Sequence, residues 1–344
     1  MLFLPCRIRA FFQAVTARHS GLLARALACF LVMAACFSSA AQAQSCSATV
    51  PAGNYGNVDI LSGGTNDTTG SFVISCTGTA NRVIRLCVDM SYGDTVNQAG
   101  AVRALTDGTN YLLHDIYSDA ARSVQWGAWG GNTLLFPFGS GGVQRDIILS
   151  AAGSVSSSFT MYGRVAASQQ TLPPGSYSWG TASPGFTYYY TATSNAACPS
   201  GTLSFRGGVR SDIWTATILA NCLVTATVVD FGSNGFLVSN IDSTGTITAR
   251  CTSSTPYIIA LNNGSGGGTG PTARKMINGA QSVIYGLYRD AARSLPFGST
   301  SGTDTAAGTG TGLAQNITVY GRVPPQTTPV PGAYADTIVV TVTY

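Results

Sequence analysis

Ile116-Tyr117-Ser118-Asp119-Ala120-Ala121-Arg122-Ser123 returns further along the chain as Leu287-Tyr288-Arg289-Asp290-Ala291-Ala292-Arg293-Ser294. The repeat continues outward from this block. Met161-Tyr162-Gly163-Arg164-Val165 returns as Val319-Tyr320-Gly321-Arg322-Val323, and both copies run on into a Pro-Gly-x-Tyr turn, Pro174 to Tyr177 and Pro331 to Tyr334. Ahead of each block stands a cysteine pair, Cys46 with Cys76 and Cys222 with Cys251. Four landmarks in one order at matching spacing define two related domains in tandem. What one copy carries and the other lacks is then the first evidence of function.

The chain has 344 residues, enough for two domains that each bury a core. Residues 1–43 read as a secretory signal: Arg7, Arg9, Arg18 and Arg25 precede an apolar run from Ala26 to Phe37, and Ala41-Gln42-Ala43 supplies a small-x-small cleavage site. Two alternatives use the same residues, a retained membrane anchor and a lipoprotein acylated on Cys36. Without the signal the charge vanishes. The whole chain has 18 basic and 14 acidic residues; removing the four arginines leaves 14 against 14. All the acids are Asp, and Lys275 is the one lysine. No basic stripe is available for phosphate contacts, which argues against nucleic-acid binding.

Scarce Glu and Lys beside abundant Thr, Ser, Val, Tyr and Gly is β composition. Ser71 to Cys76 and Val83 to Val88 read as short strands, and Asp336 to Tyr344 alternates with period two, placing Ile338, Val340, Val342 and Tyr344 on one face. The expected fold is all-β, two tandem β-sandwiches of immunoglobulin type. Export fits the cysteines: Cys6, Cys29 and Cys36 leave with the signal, and six remain. The repeat pairs Cys46 with Cys76 and Cys222 with Cys251, leaving Cys87 and Cys198 to bond within the first domain. Zinc is disfavoured because no Cys-x-x-Cys pair occurs and histidine is nearly absent, so no metal or cofactor is expected.

Leu-Tyr-x-Asp, a Gly-rich stretch, Val-Tyr-Gly-Arg-Val-Pro, Pro-Gly-x-Tyr-x-Asp-Thr and a closing Thr-Val-Thr-Tyr together resemble the spore coat protein U domain family. That family includes subunits of archaic (Csu-type) chaperone–usher pili. The match is near-complete over 222–344 and interrupted over 46–180. A two-domain chain of this kind is similar to the tip adhesin of such pili, with an N-terminal adhesin domain at 44–208 and a pilin domain at 209–344. The resemblance implies that the second domain is an incomplete sandwich awaiting a donated strand. It also implies a periplasmic chaperone, an outer-membrane usher and a neighbouring pilin subunit as partners, and a place at the cell surface. Ile338, Val340, Val342 and Tyr344 would then form the accepting edge. The expected cleavage leaves Gln44 and Ser45 ahead of Cys46, too little to donate. A subunit that accepts without donating belongs at the tip. A segment between Thr187 and Ala220 is expected to close the first sandwich from within the chain.

The copies differ most between their second and third landmarks. Tyr117 to Tyr162 spans 45 positions and Tyr288 to Tyr320 spans 32. Here the first copy holds Trp126, Trp129, Leu134, Leu135, Phe136 and Phe138 among glycines, with Pro137. Such residues fit a projecting apolar finger that binds a hydrophobic or host surface, or alternatively a plug for the end of the sandwich. The second copy's Phe297 to Gly312 reads as a plain loop. Trp179 and Phe186, in a further insertion, form a second surface candidate, and Val96 to Tyr111, with Val102 and Leu105, a weaker third.

An enzyme is disfavoured. His114 is the one histidine after the signal, its counterpart is Tyr285, and no Gly-x-Ser-x-Gly elbow accompanies it. The repeated Asp119/Asp290 and Arg122/Arg293 read as structural turn caps or ion pairs. A structural coat or shaft subunit is the second functional reading, and a secreted carbohydrate-active enzyme a distant third.

Overall fold

A computed structural model describes residues 44–49, 53–90, 103–127, 141–178, 185–191, 198, 206–211 and 214–344. Every regular element among them is a strand. The first sandwich contains β1 (Ser45–Thr49), β2 (Gly53–Val58), β3 (Asn66–Thr77), β4 (Val83–Met90), β5 (Arg103–Thr106), β6 (Tyr111–Tyr117), β7 (Val143–Ile148), β8 (Ser154–Val165), β9 (Gly175–Ser178), β10 (Gly185–Thr191), β11 (Arg206–Ser211) and β12 (Trp214–Ile218). The second contains β13 (Cys222–Ala226), β14 (Ile241–Cys251), β15 (Pro256–Leu261), β16 (Arg274–Asn278), β17 (Gln281–Tyr288), β18 (Ala306–Thr309), β19 (Gln315–Val323) and β20 (Val340–Thr343).

The strand orders repeat as the sequence does. One sheet runs β1-β3-β8-β6-β5 in the first sandwich and β13-β14-β19-β17-β16 in the second. The facing sheet contains β10-β4-β7 in the first and β20-β15-β18 in the second. Alternation drives the packing. Phe72 and Ile74 of β3, Phe159 and Met161 of β8, and Leu86, Val88 and Met90 of β4 turn into one buried core. Ile247, Ala249, Ile259, Leu261, Leu287 and Val319 build the corresponding core of the second. Three disulfides, Cys46–Cys76, Cys87–Cys198 and Cys222–Cys251, pair as the repeat predicts.

Four readings of the sequence require correction. The boundary expected at 208/209 falls after Ile218, because β11 and β12 are hydrogen-bonded into the first sandwich and Trp214, Ala216 and Ile218 lie in its core. The Phe297–Gly312 loop contains the strand β18, and Phe297 is itself core. Of Asp336 to Tyr344, residues Val340–Thr343 form the strand. Leu105 is fully buried on β5 rather than displayed on a loop.

The repeated charged residues are structural. Asp119 accepts from the Ser123 and Val124 amides, and Asp290 from those of Ser294 and Leu295. These amides hold both carboxyls below the usual range. The arginines pair elsewhere: Arg122 donates to the Gly163 and Thr68 carbonyls and Arg293 to that of Gly321, and they form ion pairs with Asp67 and Asp242. Asp67 and Asp242 also take bidentate bonds from Arg164 and Arg322.

His114, fully buried on β6, shares a 3.0 Å hydrogen bond between Nδ1 and Tyr55 Oη. Burial, reinforced by the Arg103 charge, pushes its pKa well below 6.5, so it is neutral when folded. The unfolded chain therefore binds the extra proton, and stability present above pH 6.5 is lost as pH falls from there toward the folded pKa. Stability of the first sandwich, followed by urea unfolding, should fall between pH 6.5 and 5 by up to about 1.4 kcal/mol per unit. The second sandwich carries Tyr285 at that position and should hold until carboxylates protonate. A first sandwich equally stable at pH 7 and pH 5 would contradict this.

Candidate functional site: a covered edge and an open edge

Among the described residues the two sandwiches differ on the far side of the strand that follows the Pro-Gly-x-Tyr turn. In the first, that strand is β10, which pairs with β4 on one side and antiparallel with β11 on the other, with Phe186 opposite Arg210 and Tyr188 opposite Gly208. β11 also lies beside β1, so it sits between β1 and β10. Past Ser211 the chain crosses to the other sheet as β12, antiparallel to β9 and parallel to β2. Trp214, Ala216 and Ile218 point inward and are fully buried while Thr215 and Thr217 are half-buried. Cys198 ties the segment ahead of β11 to Cys87 on β4. The first sandwich is thus closed from within the chain, as expected for a segment between Thr187 and Ala220.

In the second sandwich the equivalent strand is β20. It pairs with β15, Val342 opposite Ile259 and Val340 opposite Leu261. Among the described residues no strand lies on its other side. The nearest strand there is β13, itself an edge of the larger sheet, and Tyr344 Oη reaches Asn221 Oδ1 beside it at 3.3 Å. Burial follows the pairing. Ala48, Tyr55, Tyr177 and Tyr188 are buried in the first sandwich; their counterparts Val224, Phe231, Tyr334 and Val342 are half-buried, as are Ile338 and Val340. Tyr344 is exposed. The second sandwich therefore presents a row of half-covered apolar side chains beside a strand edge with free backbone groups, the arrangement that templates addition of another strand.

The finger residues divide. Trp126 does not project: it is 1% exposed, packs against Phe72 and Phe159, and its Nε1 donates to the Val88 carbonyl at 3.0 Å. This correction was available from the repeat, since Trp126-Gly127 aligns with Phe297-Gly298 and Phe297 is buried too. Trp129, Leu134, Leu135, Phe136, Phe138 and Trp179 lie outside the described residues. Phe186 falls within β10, flanked by β4 and β11, rather than in a projecting loop.

Sequence inspection missed a buried arginine at matching places. Arg103 donates to the Met90 and Trp126 carbonyls and pairs with Asp115; Arg274 donates to those of Leu261, Phe297, Asn262 and Pro271. Each clamps the strand opposite the edge strand to the start of the inserted interval. The available signal was an apolar-Arg-x-apolar pattern, Val102-Arg103-Ala104-Leu105 and Ala273-Arg274-Lys275-Met276, before the Asp-Ala-Ala-Arg-Ser block in both copies.

Comparison with known proteins identifies the family and the fold. The chain is 35% identical over 117 residues to Protein U of Myxococcus xanthus; the match covers 32% of this chain and 65% of that protein. Among solved structures it is similar to the chaperone–tip adhesion subunit pre-assembly complex CsuC–CsuE from archaic chaperone-usher Csu pili of Acinetobacter baumannii. There the TM-score is 0.52 at 18% identity, over 87% of this chain and 100% of that one, a likeness of fold. The CupB6 tip adhesin of Pseudomonas aeruginosa also matches, at TM-score 0.38 and 15% identity over 88% of this chain and 95% of that one. The model of the Spore Coat Protein U domain matches residues 32–178 and again 211–341, the second match taking in β12 as well as the second sandwich. The chain belongs to the Spore Coat Protein U domain family.

Proposed function

We propose that the chain is the tip adhesin of a chaperone–usher pilus. The first sandwich meets the surface, and the second joins the fibre by accepting a strand. The observation that carries this reading is the contrast between β10, covered by β11, and β20, open beyond β15. A subunit built this way has one finished domain free for another task and one that needs a partner. In the periplasm a chaperone strand covers β20; at the outer-membrane usher the next subunit replaces it, and the chain reaches the cell surface at the pilus tip. The fold shared with the tip subunit of Csu pili supports this order. The role involves no catalysis.

Attachment is assigned to residues 128–140 and to Trp179. The first of these segments opens directly after Gly127, whose carbonyl accepts from the Met90 amide, and precedes β7 at Val143. Its base is therefore fixed to the core while Trp129, Leu134, Leu135, Phe136 and Phe138 stand in the insertion. Burying each such side chain contributes roughly 1.5–3 kcal/mol. Several together hold a cell on an apolar surface and seed a biofilm without a shaped pocket. Replacing these five by Ser or Asn in piliated cells is expected to reduce attachment to a hydrophobic surface at least about 100-fold, with pilus number unchanged. Normal attachment by the normally piliated variant would refute the assignment. A structural coat subunit is the second reading, favoured by the family match; it predicts that the same variant assembles and functions as the parent does.

A further inference from the structure

The two sandwiches of this chain meet end to end. The end loop of the first, ahead of β3, contains Ile60 and Leu61, and Ile60 lines a cleft shared with Leu219, Asn221, Thr252 and Tyr344. Gly312 of the second sandwich is seated against the backbone of Gln170 and Thr171, so closely that a Cβ there would overlap the Gln170 carbonyl. Thr252 follows Cys251, and the Gly312 amide donates to the Cys251 carbonyl, so the second sandwich meets the first with its disulfide end. Its opposite end is the counterpart of the Ile60 end. Gln169 brackets the Leu113 amide and carbonyl in the first sandwich, and Gln326 brackets those of Ile284 in the second. The end loop again holds one buried leucine, Leu237, whose amide donates to the Thr328 hydroxyl. The residue ahead of that leucine differs: Ile60 is 4% exposed and Phe236 is 83% exposed. Val238 and Val330, one on each of these two segments, are exposed as well. Apolar side chains left bare at an end that forms a joint in the other sandwich mark a binding surface.

We propose that Phe236, Val238 and Val330 are the seat for the body of the following fibre subunit, a sandwich of this family that offers its own disulfide end, so that the joint inside this chain is repeated between subunits. The inference rests on the strand-accepting reading above and concerns a surface outside the groove. Direction favours this occupant. β14 starts at Ile241, just past Phe236, and β15 turns back from its far end, so Leu261 and its partner Val340 lie at the Phe236 end. A strand antiparallel to β20 therefore runs from Tyr344 toward that end, and the body that follows it emerges beside Phe236. The second sandwich of another copy cannot take this place, because its disulfide end is already against its own first sandwich.

The test places the photo-crosslinking residue p-benzoylphenylalanine in the chain of piliated cells, as Phe236→p-benzoylphenylalanine in one variant and Tyr344→p-benzoylphenylalanine in another. Both side chains are exposed, so neither change disturbs a core. After irradiation, position 236 is expected to join the following pilin near its first disulfide, and position 344 to join the donated strand, each identified by mass spectrometry. Crosslinks from position 344 alone would overturn the seat and leave strand acceptance standing. Crosslinks to the pilin from neither position would overturn both. Capture of a chaperone or a second copy by position 236 in assembled pili would overturn the seat too. The chain with Phe236→Ser, Val238→Ser and Val330→Ser should still enter pili at the parent's tip-to-shaft ratio, yet lose tips on mild heating about 10-fold faster. An unchanged rate of loss would overturn the seat.

Discussion

Trp214→Ala is expected to destabilise the first sandwich by about 3–5 kcal/mol and lower its melting temperature by about 6–20 °C. The indole is fully buried, lies against Tyr55 and within 6.3 Å of the His114 ring, and rests on glycines whose backbone cannot close over the space it would leave. It also belongs to the strand that joins β9 to β2 within the larger sheet, so its loss loosens the closing segment as a whole. A contrasting change on the open side should be mild. Val342→Ala on β20 removes a half-buried side chain, and before any strand is added it should cost about 1 kcal/mol or less. Differential scanning calorimetry of the two variants measures the contrast. Equal effects would mean that the two edges are equally covered.

The second large effect concerns the open edge. A strand of alternating apolar residues, fused after Tyr344 through a short Gly-rich turn, should pair antiparallel with β20 as β11 pairs with β10. A fused segment acts at an effective concentration on the order of millimolar, which favours docking without a second molecule. Cleavage within β20 under limited proteolysis should slow at least about tenfold, and the second sandwich expressed as residues 220–344 should change from aggregating to soluble. The unpaired edge and half-covered Val224, Phe231, Val340 and Val342 are the reason that fragment is expected to aggregate alone. A stable, soluble monomer without the fused strand would show that the second sandwich is already complete.

Together the two experiments separate the halves of the molecule. The first sandwich contains its closing strand, held additionally by Cys87–Cys198; this disulfide constrains the unfolded chain and keeps the segment before β11 close to β4. The second has neither the strand nor the disulfide. Its position opposite the Cys87 site is Ile258, which pairs with Thr343 instead.

Reading the residues alone established the tandem repeat, the all-β class and all three disulfides, because repeated motifs, period-two alternation and cysteine spacing are local signals. The repeated Asp119 and Asp290 were legible as turn caps for the same reason: an aspartate four residues before a serine amide completes its bonds within one turn. Other features depended on contacts between distant segments. Trp126 stood among finger residues in sequence, yet it reaches Val88 across the sandwich and is core. Arg103 and Arg274 were not legible because the groups they clamp lie on distant segments, the Met90 and Trp126 carbonyls for the first and those of Leu261 and Phe297 for the second. The boundary placed at 208/209 failed because a strand's allegiance is decided by its hydrogen-bonded neighbours. β11 and β12 precede Cys222 just as an arriving strand would, and only the pairing with β10, β9 and β2 assigns them to the first core. What the sequence by itself determined, then, was what neighbouring residues can settle among themselves. Which edge is covered and which is open were decided by tertiary structure, since burial is a property of whatever arrives from elsewhere in the chain.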